Sequence, residues 1–351
     1  MPLTISQKIL AIQFQYLGDA VFITPALFAI KTQFPQAELH VLVAKEVAPL
    51  FENIPWIKKV WGMPRSRGKF KLDETWPFIK ALRKEKFERS VAFGCNDRAA
   101  LTSLLVGAKI RLGPSDSNLK LLPKIAFTDN IDNKLLPKPY VAMYLKLLSL
   151  GWNIPIPSSP QLKIISDASL AKTAKTLLPP HSILCHLGTS QIKKEWPVNR
   201  WKELYELATK EGYKLIFSAG PSKREQALIV DLKRQDPSIT VLPPVNDLSL
   251  FLSILNQAEV VIAGDTGPLQ FAAGLGVKII GLLGVENSIL QTAPNYQKNQ
   301  LVQAKTCSCV GELANHQTCQ NQNSCMNTIL PSDVLSLLLT ITPPTFSKQI
   351  T

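Results

Sequence analysis

The chain has 351 residues, 46% of them hydrophobic and 19% charged, a composition typical of a folded globular protein with room for two domains. The net charge is +13, and residues 1–160 supply +10 of it because they hold 22 Lys and Arg against 12 Asp and Glu. No run reaches the roughly 18 apolar residues of a membrane span, and the amino terminus lacks the cleavage site of a secretory signal. We therefore expect a cytoplasmic protein whose amino-terminal half can face an acidic partner.

The first predicted strand, at residues 9–14, is followed directly by Gly18 and Asp19, and a helical pattern takes over at Ala20. A carboxylate at the carboxyl end of a strand lies where open α/β sheets bind their ligands. Asp19 is therefore either a ligand-facing carboxylate or the N-cap of the next helix, and the local sequence does not separate the two interpretations.

Alternating strands and helices continue through the first half and predict an α/β fold with a parallel sheet. The further predicted strands are 38–44, 60–61, 90–93 and 110–112, and the helices are 47–51, 73–86, 98–106 and 141–150. A basic loop at residues 63–72 carries Arg65, Arg67 and Lys69, which are either solvated or able to close over the phosphates of an acceptor. Prolines at 155, 157 and 160 then interrupt the periodicity, so the predicted domains are 1–155 and 156–335, with a tail at 336–351.

The second half begins with a strand at 182–186, and the loop after it contains Thr189, Ser190 and Lys194. Hydroxyl groups and a compact cation directly after a strand suit a diphosphate, although lysines in a surface loop commonly have no such role. A strand at 213–219 follows, and then a helix to residue 234 whose early turns contain Glu225. This carboxylate is expected either to reach a ribose hydroxyl or to favour the helix start.

Residues 259–284 form the most informative stretch, because a strand, a polar turn, a helix and a second strand follow one another within 26 residues. The turn contains Asp265, Thr266, Gly267 and Pro268. Thr266 and the backbone N–H groups at Gly267 would point at an anion, and the helix dipole favours negative charge there. The alternative is that Asp265 and Thr266 only cap the helix.

Four cysteines lie near the end of the chain, at positions 307, 309, 319 and 325. Their spacing matches none of the common zinc patterns, and in a reducing compartment they are expected to be thiols. No D-x-D pair occurs in the sequence, so neither a bound metal nor another cofactor is predicted.

Several motifs, in this order, resemble those of the glycosyltransferase family 9 heptosyltransferases. They are LGD at 17–19 with TPAL at 24–27, K-x-W-P at 194–197, DTGP at 265–268 followed by AAGLGV, and CM with I-x-P at 325–331. The resemblance covers about residues 8–335 and implies a GT-B fold, in which two Rossmann-like domains with parallel sheets face each other across a cleft. It also implies inverting transfer of a heptose from ADP-heptose, the co-substrate, to the anionic inner core of lipopolysaccharide, at the cytoplasmic face of the inner membrane.

The resemblance implies roles for individual residues. Asp19 matches the proposed general base, and Lys194 matches the lysine that holds the donor diphosphate. Asp265, Thr266 and Gly267 match the turn beside the donor phosphates and the heptose. The remaining predicted donor-binding residues are Thr189, Ser190, Glu225 and Gln270, and the predicted acceptor-binding residues are Gly18, Arg65, Arg67, Lys69 and Arg111. At Gln270 the family usually has His, and this departure leaves open a different nucleotide sugar.

Three other functions are weighed against this one. A dinucleotide-dependent oxidoreductase lacks support because Ile279 occupies the third glycine position of the G-x-G-x-x-G pattern that begins at Gly274. Nucleic-acid binding is not expected, since the strands lack interleaved aromatic residues and no helix-turn-helix or zinc pattern is evident. A non-catalytic relative that binds a sugar nucleotide remains the third alternative, because glutamine cannot carry the charge of histidine.

Overall fold

The computed structural model describes residues 7–14, 17–64, 72–94, 96–115, 121–137, 139–284, 300–305 and 325–343. Contacts divide the chain into two compact units that meet in sequence at Ile165 and Ser166, whereas the predicted boundary lies between residues 155 and 156. Residues 153–167 have no regular secondary structure, but Leu162 and Ile164 are buried. The backbone N–H of Lys163 donates to Thr24 Oγ1 over 3.1 Å, which fastens this segment to the first unit.

The described part of the first unit contains a parallel sheet whose strands alternate with helices along the chain. The strands are β1 (Lys8–Gln13), β2 (Glu38–Ala44), β3 (Ile57–Met63), β4 (Arg89–Ala92), β5 (Ile110–Ser115) and β6 (Asp129–Asp132). The helices are α1 (Thr24–Gln33), α2 (Pro49–Glu52), α3 (Leu72–Lys84), α4 (Asp97–Val106), α5 (Leu121–Ala126) and α6 (Tyr140–Trp152).

The sheet of the first unit has the order β3-β2-β1-β4-β5-β6, which is the order of a Rossmann fold. The order reverses between β1 and β4, and ligands of such sheets bind beyond the carboxyl ends of the strands at that point. A 3-10 turn, Asp19–Ile23, follows β1, so Asp19 lies at the reversal. The α-helix starts only at Thr24, because Pro25 has no N–H and is best placed in the first turn of a helix.

The second unit is also a parallel α/β sheet in its described part. The strands are β7 (Ser182–His186), β8 (Lys214–Ser218), β9 (Val260–Gly264), β10 (Lys278–Leu283) and β11 (Leu301–Gln303). The helices are α7 (Ala171–Leu177), α8 (Val198–Lys210), α9 (Lys223–Gln235), α10 (Leu248–Leu255), α11 (Gly267–Leu275) and α12 (Pro331–Ile341). The strand order is β11-β10-β9-β7-β8, and it reverses between β7 and β9.

The end of the second unit corrects one boundary. Helix α12 runs to Ile341, and Leu338 is fully buried in the same core cluster as Trp201 and Phe217. Tyr213 donates a hydrogen bond to the carbonyl of Thr342, which holds the residues after the helix against the sheet. The domain therefore extends beyond residue 335, where the sequence predicted the start of a tail, because the apolar face of α12 is needed to close the core.

Candidate active site

Lys194 and Asp265 meet at the strand reversal of the second unit. Lys194 lies in the loop after β7 and Asp265 in the turn after β9, and these two strands pair in parallel. Lys194 Nζ is 2.6 Å from Asp265 Oδ2, and the two side chains are 33% and 22% exposed. The ammonium group has three donors and solvent access, so an arriving phosphate can bind to it while Asp265 keeps one hydrogen bond.

The turn after β9 leads directly into α11, whose first turn is closed by hydrogen bonds from the N–H groups of Leu269 and Gln270 to the carbonyl of Thr266. Thr266 is the N-cap residue of α11, with φ −151° and ψ 163°, and its side chain makes no cap hydrogen bond to this described helix. Gly267 and Pro268 form the first helical positions. A hydroxyl that does not cap, placed beside the positive end of a nine-residue helix, is available to an anion. The geometry of Thr266 thus argues against the interpretation that it only caps.

The loop between β7 and α8, residues 187–197, is held by its own hydrogen bonds. Thr189 is buried and donates from Oγ1 to the carbonyl of Gln191 over 2.7 Å, so its proton is engaged within the loop, while Ser190 is exposed. Lys194 ends the 3-10 turn Ile192–Lys194. Trp196 anchors the far end, donating from Nε1 to the carbonyl of Ile329 over 3.2 Å.

Glu225 lies in the first turn of α9 and is bonded to the N-cap residue, Ser222. Its backbone N–H donates to Ser222 Oγ over 3.2 Å, and the Ser222 hydroxyl in turn donates to Glu225 Oε2 over 2.5 Å. A Cβ added at Gly188 would lie 2.3 Å from Oε1, and one added at Gly220 would lie 2.6 Å from both carboxylate oxygens. These glycines follow β7 and β8, so the carboxylate sits at the carboxyl ends of two adjacent strands. Glu225 therefore both favours the helix start and faces the ligand edge of the sheet.

Two buried residues complete the surroundings of this edge. Gln270, in α11, is only 4% exposed. His186, at the end of β7, is buried with Nδ1 3.0 Å from Ser218 Oγ, and it packs against the ring of Phe251. Burial lowers the pKa of His186 to about 4, so the imidazole is neutral near pH 7 and adds no positive charge to the site.

In the first unit, Asp19 lies close to two tyrosines of α6 that the sequence did not single out. Burial raises the pKa of Tyr140 and of Tyr144, and the negative charge of Asp19 raises both further. The two phenol rings stack with centroids 6.0 Å apart, and the Tyr144 hydroxyl accepts a hydrogen bond from Gln13 Nε2 over 3.2 Å. Gly18, the predicted acceptor-side neighbour of Asp19, precedes the 3-10 turn in a helical conformation.

The predicted acceptor residues are only partly described. Arg65, Arg67 and Lys69 lie outside the described residues. Arg111 is described, and its guanidinium donates to the carbonyls of Ala126 over 2.6 Å and Ala108 over 2.8 Å. These bonds give Arg111 a structural role that fastens β5 to the end of α5, and its acceptor role stays a prediction.

In the part of the chain that the structure describes, no group of three His, Cys, Asp or Glu side chains is arranged to hold a metal ion. Cys325 is described, whereas Cys307, Cys309 and Cys319 lie outside that part of the chain. None of the described helices combines the length and the apolar character that crossing a bilayer requires.

Sequence reasoning also missed Arg224, whose guanidinium donates to the Glu195 carboxylate and to the carbonyl of Thr189. The available signal was a basic residue in the first turn of the helix after β8. Its partner could not be read from the sequence, because the two side chains are 29 positions apart.

The chain is similar to known proteins over most of its length. The family model described as glycosyltransferase family 9 (heptosyltransferase) matches residues 75–323. Lipopolysaccharide heptosyltransferase 3 of Escherichia coli is 22% identical over 296 residues, which cover 78% of this chain and 83% of that protein. The structure of E. coli ADP-heptose lps heptosyltransferase II superposes with a TM-score of 0.74 at 18% identity, covering 95% of this chain and 98% of the other. E. coli heptosyltransferase WaaC with ADP-2-deoxy-2-fluoro heptose gives 0.71 at 16% identity, covering 95% and 99%. The fold is thus GT-B, as predicted, with two Rossmann-like α/β units.

Proposed function

This chain belongs to glycosyltransferase family 9, the heptosyltransferase family, and from that membership we propose that it moves a heptose from ADP-heptose to the inner core of lipopolysaccharide. The acceptor assignment is supported by the lipopolysaccharide heptosyltransferase of E. coli that the chain resembles. The donor assignment is supported by the ADP-heptose named for one structural neighbour and the ADP-2-deoxy-2-fluoro heptose named for another. The observation that carries the proposal is the Lys194–Asp265 pair beside the start of α11.

Binding of the donor diphosphate centres on the Lys194–Asp265 pair. The diphosphate is held by the Lys194 ammonium, by the Thr266 hydroxyl and by the backbone N–H of Gly267, with the exposed hydroxyl of Ser190 in the same loop as Lys194. Thr189 supports binding by shaping that loop through its hydrogen bond to the carbonyl of Gln191. Negative charge grows on the diphosphate as it leaves the anomeric carbon. Donors fixed in advance stabilise that charge without having to reorganise, and removing one such donor typically costs about 10² to 10³ in rate. Asp265 faces the heptose, and Glu225 binds a ribose hydroxyl.

The acceptor side uses Asp19. In a single displacement the acceptor hydroxyl attacks the anomeric carbon from the face opposite the leaving diphosphate, so the configuration inverts. The hydroxyl proton passes to the Asp19 carboxylate as the new C–O bond forms and the bond to the diphosphate breaks. General-base help of this kind contributes about 10² to 10⁴ in rate. Neither a metal nor another cofactor takes part.

The acceptor is anionic and lies on the cytoplasmic face of the inner membrane, to which the protein binds peripherally. The +10 charge of residues 1–160, from 22 basic and 12 acidic side chains, favours such a partner. Arg65, Arg67 and Lys69 bind the phosphates and carboxylates of the core, with Gly18 beside the reacting hydroxyl.

One observation supports a second donor. Gln270, buried in α11, stands where the family usually has a histidine, and an amide donates hydrogen bonds without carrying charge. A different nucleotide sugar, or a relative that binds without turnover, is therefore the alternative outcome of the test.

The test incubates the purified chain with a heptose-deficient lipopolysaccharide core and either ADP-heptose or UDP-, GDP- and ADP-hexoses. Released nucleotide and the mass of the core are measured. We expect transfer with ADP-heptose alone, undiminished by EDTA, and a loss of about 10² to 10⁴ in kcat for Asp19→Asn with unchanged ADP binding. Transfer from another sugar would overturn the donor, dependence on Mg²⁺ would overturn the mechanism, and binding without turnover would establish the non-catalytic relative.

A further inference from the structure

Arg224 joins the two ends of the loop at residues 187–197, here called the donor loop. One guanidinium nitrogen, Nη1, donates to Glu195 Oε1, and the other, Nη2, donates to the backbone carbonyl of Thr189. The two acceptors are six positions apart and flank Lys194. A single planar group thus closes the stretch that carries the predicted diphosphate ligands.

The start of α9 fixes Arg224 itself. Arg224 is the second residue of the helix, directly after Lys223, and lies between Ser222 and Glu225, which are hydrogen-bonded to each other. The cap that Ser222 provides therefore fixes the first turn, in which Arg224 lies. From there the guanidinium reaches the donor loop while the next residue, Glu225, faces Gly188 at the beginning of the same loop.

The low exposure of Glu195 and the two acceptors that Arg224 serves restrict which side chain can stand at position 224. The Glu195 side chain is only 12% exposed, so its charge requires a partner, and the Arg224 side chain is 39% exposed. A guanidinium has donors in a fixed fork and can serve a carboxylate and a carbonyl at once, whereas an ammonium group is a compact point charge on a flexible stem. The arrangement is specific to arginine.

We propose that Arg224 is a positioning residue that clamps the donor loop in the conformation that binds the donor diphosphate. The assignment of a diphosphate rests on the proposed function, whereas the clamp itself rests on the contacts of Arg224 alone. Without Arg224, Glu195 keeps a nearly buried charge and the Thr189 carbonyl loses a donor, so the loop opens. Lys194 is then no longer held in place by both ends of its loop, and the cost of reordering the loop appears in donor binding.

The clamp is tested in two ways on the full chain. Hydrogen exchange reports the donor loop without any ligand, and the backbone amides of Lys194 and Glu195, which donate to Gln191 and Ile192, are the informative ones. Calorimetry with ADP reports binding. We expect Arg224→Ala to speed exchange at these amides, to raise the Kd of ADP about tenfold, and to change kcat at saturating donor less than threefold. Arg224→Lys should give exchange rates and a Kd of ADP close to those of Arg224→Ala, because lysine lacks the forked donors of the guanidinium.

A double-mutant cycle separates the clamp from direct contact with the donor. In a Glu195→Ala background the loss of ADP affinity caused by Arg224→Ala should be clearly smaller. The matched control is Arg234→Ala, at the other end of α9, where the arginine pairs with Asp231 and is 74% exposed. That variant should match the wild type in both measurements.

Three outcomes would overturn the proposal. These are unchanged exchange in Arg224→Ala, restoration of wild-type exchange and affinity by Arg224→Lys, and an equal loss of affinity in both Glu195 backgrounds. If the wild-type protein binds no ADP, the proposed donor fails, and hydrogen exchange still decides the clamp by itself.

Discussion

Glu225 occupies the space that a side chain at Gly188 would need, since a Cβ at that glycine would lie 2.3 Å from Glu225 Oε1. Gly188 belongs to the loop after β7, and Glu225 belongs to the helix after β8. Because the obstructing atom is the far end of a flexible side chain, a methyl group at position 188 would displace the carboxylate rather than the backbone. The glycine therefore preserves the position of a functional group more than it preserves the fold.

Gly188→Ala should accordingly separate stability from donor binding. We expect the free energy of unfolding to fall by less than about 1 kcal/mol, since the clash is relieved by a rotamer change. The donor KM should rise about threefold to tenfold, because the displaced carboxylate no longer reaches the ribose. Thermal unfolding and steady-state kinetics measure the two effects.

Asn96→Ala is the matched control for that variant. It removes the side-chain cap of α4, in the first unit, and should cost about 1 kcal/mol of stability with little change in donor KM. If Gly188→Ala left donor KM unchanged, or raised it equally in a Glu225→Ala background, Glu225 would have no ribose role.

Lys194 should be essential to turnover and dispensable for folding. Lys194→Gln removes the ammonium group that faces the diphosphate, and we expect kcat/KM for the donor to fall about 10² to 10³-fold. The pair with Asp265 is partly exposed, so stability should change by no more than about 1 kcal/mol. Lys193→Gln, one position earlier in the same 3-10 turn, is the control and should remain within twofold of the wild type. A loss of less than fivefold in Lys194→Gln would contradict the assignment.

The sequence predicts much of the sheet architecture because buried parallel strands are short apolar runs. The observed bounds of β2 and β7 coincide with the predicted ones. By contrast, β6 was not predicted, since it is an edge strand, Asp129–Asp132, with two aspartates and no buried residue. Helix α5 was missed as well, because it has six residues and a proline at position 123.

The candidate site was also predictable only in part. Asp19, Lys194 and Asp265 lie in segments that follow strands, and a parallel sheet places such segments at the carboxyl ends of its strands, so the location of each residue within its own unit is predictable. The contacts that hold the side chains of the site in place could not be predicted from the sequence. Gln13 and Tyr144 are 131 positions apart, and their hydrogen bond depends on how α6 packs against the end of β1. Such pairs require the three-dimensional structure.

That hydrogen bond should contribute to stability. Tyr144→Phe keeps the ring contact with Phe93 and removes the hydroxyl that accepts from Gln13, at a site where Tyr144 is fully buried and Gln13 is 1% exposed. Loss of the acceptor for a buried amide should lower the free energy of unfolding by about 1 to 3 kcal/mol in urea titrations. Replacing both partners, in the double variant Gln13→Leu with Tyr144→Phe, should recover part of the lost stability. If Tyr144→Phe alone were as stable as the wild type, the hydrogen bond would contribute nothing to stability.

His186 should make the protein less stable as the pH falls below neutrality. Its pKa is about 4 in the folded state, because burial opposes the charge, and about 6.5 in an unfolded chain. The unfolded state therefore binds more protons between these values. The stabilisation is complete above pH 6.5 and declines by up to about 1.4 kcal/mol per pH unit as the pH falls towards 4, roughly 3 kcal/mol in all. Burial also lowers the pKa of His40.

His186→Gln tests this contribution. The variant should reduce the slope of the unfolding free energy against pH by an amount that corresponds to about one bound proton, as measured by urea unfolding from pH 7 to pH 4.5. His181→Asn is the control, because that side chain is 89% exposed and asparagine tolerates its φ of 59°. Equal slopes in His186→Gln and the wild type would mean that His186 is protonated as readily in the folded state as in the unfolded one.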